Sequence, residues 1–336
     1  MLPPNEKPRE LPERPAESHE VQRQAGQRIE GIRERTLGSI LAVLQAEKVK
    51  VDGQTIEYID LPAEGKEKKS EVPLVIVPGW SETSLSFAPM MVDFHRRGRR
   101  VFSVCNTHGI DTPRISGYPM PQLRKAMALI KCLEAKGIKH VDAVGRSEGA
   151  VVTTIAAHLR PGLFRNIVLF NPAGILKNEN LLRLGYGALR NTLDKTKQHK
   201  ELDSRNGRTR FQKDYDRFTG GEAIKYWRSG LWHSAKEVWS LSNTNMSKEL
   251  RDIQSGTRGP AAKVALLASN QDKFFPFPQK KRPEVSARTG IPLHRFLDIK
   301  GHHWPHLLDD QNVTATIERA LTLMETERNG ESEPAK

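Results

Sequence analysis

Two cysteines in 336 residues, Cys105 and Cys132, exclude a disulfide framework and provide no thiolate spacing for a metal. Each lies in an apolar segment, where a buried thiol in a reducing compartment is the simplest reading. Long hydrophobic runs are missing as well. No stretch of about 18 apolar residues occurs, so no membrane-spanning helix is expected. The opening residues, M-L-P-P-N-E-K-P-R-E, lack the apolar centre of a secretory signal, and a cytoplasmic location is expected. Acidic excess is also absent: 53 lysines and arginines against 40 aspartates and glutamates leave a formal charge of +13. A field of that sign attracts polyanions, but the basic residues are interleaved with acids and no nucleic-acid-binding motif accompanies them. A solvated surface, without nucleic acid as a partner, is expected.

What the chain does contain is organised around Val141 to Val151, V-D-A-V-G-R-S-E-G-A-V. A short apolar run, a G-R-S-E-G turn and a run of small and β-branched residues read as strand, tight turn and helix. A serine in such a turn is held in a strained conformation that requires nearly no side chain two residues to either side. Gly145 and Gly149 meet that condition. Ser147 is then the candidate nucleophile, and the amide of Glu148, at a helix N-terminus, can donate to a developing oxyanion.

Residues 1–18 are rich in Pro, Glu, Arg and Lys and have too little to bury to order themselves; a disordered tail is expected. An amphipathic helix is expected over 19–47, where Ile29, Ile32, Ile40, Leu41 and Leu44 share one face. A hairpin follows around Asp52-Gly53, pairing Lys48–Val51 with Thr55–Leu61. Strands are expected at Leu74–Val77, Arg100–Cys105, Val141, Asn166–Phe170, Lys263–Ala268 and Leu293–Ile299. Helices fall at Leu85–Arg97, Gln122–Lys136, after Ser147 to Leu159, and Leu307–Glu325. This alternation predicts an α/β fold with a mostly parallel central sheet flanked by helices. Sites in such sheets sit at the carboxyl ends of the strands. From 175 to 259 the alternation stops, and a helical cap carrying Tyr186, Phe211, Tyr215, Phe218, Tyr226, Trp227, Trp232 and Trp239 is expected over those ends. The core is thus divided into 48–174 and 260–325, with a polar tail at 326–336.

A nucleophile at one strand end calls for a base, an acid and a second oxyanion donor at others. After the last expected strand, K-G-H-H-W-P-H-L-L-D-D presents three competing histidines: His302, His303 and His306. Asp272, in A-S-N-Q-D-K-F-F-P, follows the strand at 263–268 and is the candidate acid. The alternative position one strand earlier, N-I-V-L-F-N-P-A-G, has no carboxylate, and Asp111 is a weaker rival that suits its own loop. The second donor should be the amide after a glycine in the loop beyond Leu74–Val77, which singles out Trp80. The Trp80 ring is expected to line the pocket or pack under the insertion.

Over about residues 48–325 the chain resembles the α/β-hydrolase superfamily. The resemblance rests on the order Ser…Asp…His, the P-G-W turn where the family usually has H-G-x, the G-R-S-E-G elbow, Q-D-K-F-F-P and H-W-P-H-L. The family's G-H-x-P-H-L signature places the base on His303, with His302 as runner-up because it stands where the family has Gly. Two departures stand out. Pro78 replaces a histidine that supports the oxyanion loop in many members, and charged Arg146 and Glu148 flank the nucleophile, where a carboxylate facing the site would repel anionic substrates. The resemblance implies a serine hydrolase, with a carboxylic ester as the expected substrate, an apolar acyl or alkyl group suggested by the aromatic cap, and no metal or organic cofactor. The same three residues also serve carbon–carbon bond hydrolases and acyltransferases. A non-catalytic binding protein on the same fold is the alternative of another class.

Overall fold

The computed structural model describes residues 36–63, 70–105, 108–175, 196, 209–272, 275, 277–300, 303–307 and 310–330. Leu74–Val77 (β3) is buried along its whole length, and so is Val141–Arg146 (β5). Strands without a polar face are those covered on both sides, and these two pair in parallel at the middle of an eight-stranded sheet. Glu47–Val51 (β1) and Gln54–Leu61 (β2) form the hairpin expected at Asp52-Gly53, and β2 runs antiparallel to Val101–Val104 (β4). Phe164–Phe170 (β6), Lys263–Ser269 (β7) and Phe296–Ile299 (β8) extend the parallel part, giving the order β1-β2-β4-β3-β5-β6-β7-β8.

Alternate residues of each strand face opposite layers, and the core is divided accordingly. Ala143, Ile167 and Leu169 pack with Leu129 of Met120–Ala135 (α3) and Ile155 of Glu148–Leu159 (α4). Val144, Val168 and Phe170 pack with Phe94 of Ala88–Arg96 (α2) and Leu321 of Asp310–Arg328 (α9). Leu37–Val43 (α1) joins the second layer through Ile40 and Val43.

Some boundaries differ from the sequence expectation. The helix expected over 19–47 begins, within the described residues, only at Leu37: Thr36 is extended (φ −101°, ψ 153°) and forms a capping box with Ser39, which terminates the helix on its N-terminal side. Glu47 already belongs to β1. The 1–18 tail lies outside the described residues. The strand expected from Leu293 starts at Phe296, because Leu293–Arg295 turns as a 3₁₀ helix after Pro292. The last helix runs on to Arg328 rather than ending at 325.

Between β6 and β7 the described residues contain three helices and no strand: Arg210–Ser229 (α5), Leu231–Ser242 (α6) and Ser247–Ser255 (α7). α7 packs against α4 and against Arg282–Thr289 (α8), in the layer flanking the sheet. α6 lies on α3, and α5 touches α1 and the short turns after β3 and β8. Tyr186 lies outside the described residues. Among those described, no helix is long and apolar enough to cross a membrane.

Candidate functional site

Ser147 stands between β5 and α4 with φ 51° and ψ −114°, a strained conformation held by its surroundings. The two glycines of the elbow are required by proximity. A Cβ on Gly145 would meet the Gly149 carbonyl at 2.6 Å, and one on Gly149 would collide with the carbonyl oxygens of Val77 and Pro78 at the end of β3. Any side chain there would push the elbow off the sheet.

Three strand ends converge on this serine. His303, beyond β8, has its Nε2 3.3 Å from Ser147 Oγ, and its Nδ1 is 2.6 Å from Oδ2 of Asp272, beyond β7. In the tautomer that donates from Nδ1, Nε2 carries the lone pair that can accept the serine proton. The other Asp272 oxygen accepts from the Phe275 amide at 3.0 Å. Ser147, Asp272 and His303 are all buried. Burial lowers the pKa of His303, the nearby Arg146 guanidinium lowers it further, and Asp272 opposes both; the net direction is downward. The imidazole is therefore neutral near pH 7, as a base requires.

His306, the third histidine of this loop, points elsewhere. It stacks on Phe87 at 4.6 Å and places Nε2 3.5 Å from Glu82 Oε1. His302 lies outside the described residues. Asp111 is largely exposed; its amide donates to Gln54 Oε1 at 2.8 Å, its carbonyl accepts from Gln54 Nε2 at 3.2 Å, and its carboxylate lies 3.5 Å from Arg124, so its contacts run to the hairpin and α3 rather than to His303.

Glu148 is the first residue of α4, where an amide has no acceptor within the helix. The Pro78-Gly79-Trp80 turn abuts the nucleophile, for a Cβ on Gly79 would lie 3.0 Å from Ser147 Cβ. The support expected from a histidine at position 78 comes instead from Glu82. Its Oε2 accepts from the Gly79 amide at 2.9 Å, and its Oε1 pairs with Arg146 Nη1 at 2.7 Å. The Trp80 ring meets Trp227 of α5 edge-on, with centroids 4.8 Å apart.

The charged flanks of Ser147 are both engaged by partners within the protein. Arg146 is buried, donates to the His303 carbonyl at 2.6 Å and lies over the Trp304 ring. Glu148 is buried too, accepting from Gln122 at 2.6 Å and from Lys125 at 2.8 Å. Lys125 also pairs with Glu237 of α6 at 3.0 Å, and Glu237 accepts from the Tyr226 hydroxyl of α5. Burial opposes the charge on Lys125, but its two carboxylates prevail and raise its pKa.

Glu82, Asn171, Lys125 and Glu237 were not anticipated from sequence. Asn171, at the strand end without a carboxylate, has φ 42°. Its Nδ2 reaches the His303 carbonyl at 3.1 Å, while its Oδ1 accepts from the Ser269 amide at 2.7 Å. The only signal for it was its position after β6.

The model of the alpha/beta hydrolase fold family matches residues 72–310. No curated protein matches the chain. Among solved structures, a membrane phospholipase A described as a bacterial virulence factor superposes with a TM-score of 0.60 at 15% identity, over 86% of this chain and 91% of its own. A carboxylesterase of the thaumarchaeon Nitrososphaera gargenis gives 0.55 at 15% identity, over 84% and 100%. The enol-lactonase of Burkholderia xenovorans LB400 gives 0.57 at 14% identity, over 82% and 100%. At such identities the likeness is one of fold. With the family model spanning most of the chain, the protein belongs to the alpha/beta hydrolase family.

Proposed function

We propose that this chain is a serine hydrolase that cleaves a carboxylic ester through an acyl-enzyme. The observation that carries the reading is the relay Ser147–His303–Asp272, with separations of 3.3 and 2.6 Å across three strand ends. Ser147 Oγ attacks the ester carbonyl as His303 Nε2 takes its proton, and Asp272 stabilises the imidazolium. The amides of Trp80 and Glu148 receive the negative charge on the former carbonyl oxygen; each such donor is worth roughly 3 kcal/mol in the transition state. The intermediate collapses as His303 gives its proton to the departing alkoxide. Water, deprotonated by the same imidazole, then attacks the acyl-serine, and the carboxylic acid leaves with Ser147 restored. Trp80 and Trp227, which meet edge-on beside the nucleophile, favour an apolar acyl or alkyl group.

Fluorophosphonate labelling tests this reading, because the probe phosphonylates only an activated serine. Wild-type protein should label, Ser147→Ala should not, and His303→Ala should label far more slowly. Labelling of Ser147→Ala at the wild-type rate would refute Ser147 as nucleophile. A panel of acyl esters then defines the substrate.

A further inference from the structure

Five large hydrophobic side chains are exposed among the described residues, and four of them lie on α5 and α6: Ile224 (57%), Trp227 (41%), Trp232 (72%) and Trp239 (63%). Between positions 224 and 239 the other exposed side chains include Lys225, Arg228, His233 and Lys236, and none is a carboxylate. Glu237 is turned inward onto Lys125, and Glu222, just before this stretch, is half-buried and paired with Lys225 at 2.7 Å. Lys236 reaches over the Trp232 ring, 5.5 Å from its centroid. The surface is also hollowed. A cavity of about 580 Å³ separates Trp232 and Trp239 from Met120, Pro121 and Arg124 at the start of α3, and a second of about 320 Å³ lies against Ile224, Trp227 and Arg228.

We propose that this outer face of α5 and α6 docks onto a lipid surface that carries anionic headgroups. Indole rings prefer the boundary between hydrocarbon and headgroup, where their apolar body is covered and their N–H stays wet. Lysine and arginine set among such rings add attraction to anionic lipid, and the inward turn of Glu237 removes the carboxylate that would oppose it. The two hollows give acyl chains room between the rings, with Glu237, paired to Lys125, on the inner wall of the larger one. Trp227 couples this face to the candidate site, since its ring rests on Trp80 beside the nucleophile. Docking itself needs none of Ser147, His303 or Asp272, so it stands apart from the proposed chemistry.

The test uses full-length protein and vesicles of phosphatidylcholine with and without phosphatidylglycerol, read by co-flotation and tryptophan emission. The expected result is binding to the anionic vesicles with a blue shift, weakened by salt, and quenching of wild-type tryptophan emission by brominated lipid. Ser147→Ala should bind like wild type. Trp232→Ser with Trp239→Ser should lose roughly tenfold or more in binding, and Lys225→Gln with Lys236→Gln should lose affinity for anionic vesicles alone. Folded wild-type protein that ignores anionic vesicles would overturn the proposal. So would tryptophan variants that bind unchanged. A dimer in solution that dissociates in the tryptophan variant would assign the face to a second copy of the chain and overturn it equally.

Discussion

Ser147 is flanked by two buried charges of opposite sign, and they are anchored in different parts of the molecule. Arg146 ties the elbow to the strand ends: through Glu82 it reaches the Gly79 turn, and through the His303 carbonyl it reaches the loop beyond β8. Glu148 ties the elbow outward, through Lys125 to Glu237 and Tyr226 of the inserted helices. The first network sets the geometry among the candidate catalytic groups. The second sets where the insertion sits over them. A charged neighbour of the nucleophile is thus a tether here, with the Glu148 carboxylate held by Lys125 and Gln122.

Replacing Arg146 should separate the two networks most sharply. Arg146→Met leaves Glu82 unpaired in a dry site, and losing one partner of a buried pair costs about 3–5 kcal/mol. Chemical denaturation should show a loss of that size, and the remaining folded protein should turn over poorly because His303 has lost one of the two donors on its carbonyl. A loss below about 1 kcal/mol would mean that Arg146 is not the centre of the core network.

Acid should act on the two networks with opposite signs. The pKa of His306 is lowered by burial to about 4, against Glu82, which pulls it upward. Burial raises that of Glu82, but Arg146, His306 and the Gly79 amide bring it down to about 2. Both groups therefore take up protons more readily in the unfolded chain, so stability falls as pH drops, through His306 between about 6.5 and 4 and through Glu82 between about 4.5 and 2. The His306 contribution is ~3 kcal/mol. On the other side, burial raises the pKa of Glu148, with Lys125 opposing. Its protonation thus favours the folded state as pH falls. Denaturation midpoints followed from pH 7 to 4 should decline in wild type and decline less in His306→Gln; parallel curves would refute the assignment. The acid limb of kcat/KM should likewise have a midpoint below about 6.5, the ordinary histidine value.

The fold was legible because the strands alternate with helices at regular spacing and the central ones are apolar throughout. The candidate serine, acid and base were legible because each follows a strand, and local pattern locates strand ends well. Glu82, Asn171, Lys125 and Glu237 were not, because a polar residue in a loop or on a helix carries no mark of its distant partner: Lys125 and Glu237 are far apart in sequence and meet only when α6 lies on α3. The N-terminal helix was drawn too far at its C-terminal end for a local reason, since the apolar spacing continues through Leu44 while Glu47 already pairs into β1.

Lys125→Met should cost less than Arg146→Met, about 2 kcal/mol, because Glu148 keeps Gln122, Glu237 keeps Tyr226, and a carboxylate left unpaired can take up a proton. Equal losses from the two variants would abolish the distinction between core and outward tethers.

The finest test of that distinction is Tyr226→Phe. It removes one hydroxyl that donates to Glu237 and lies 3.3 Å from Lys125 Nζ, while Lys125 still neutralises Glu237, so the loss should be about 1 kcal/mol. Combined with Lys125→Met, the two losses should fail to add, since residues in one hydrogen-bonded network couple by about 0.5–3 kcal/mol. Combined with Arg146→Met, they should add within about 0.5 kcal/mol, because no side chain in the outward network touches Glu82, Asn171 or the His303 carbonyl among the described contacts. Coupling of Tyr226 to Arg146 as strong as its coupling to Lys125 would mean that strain crosses Ser147 through the elbow backbone, and the two tethers would then act on the nucleophile as one.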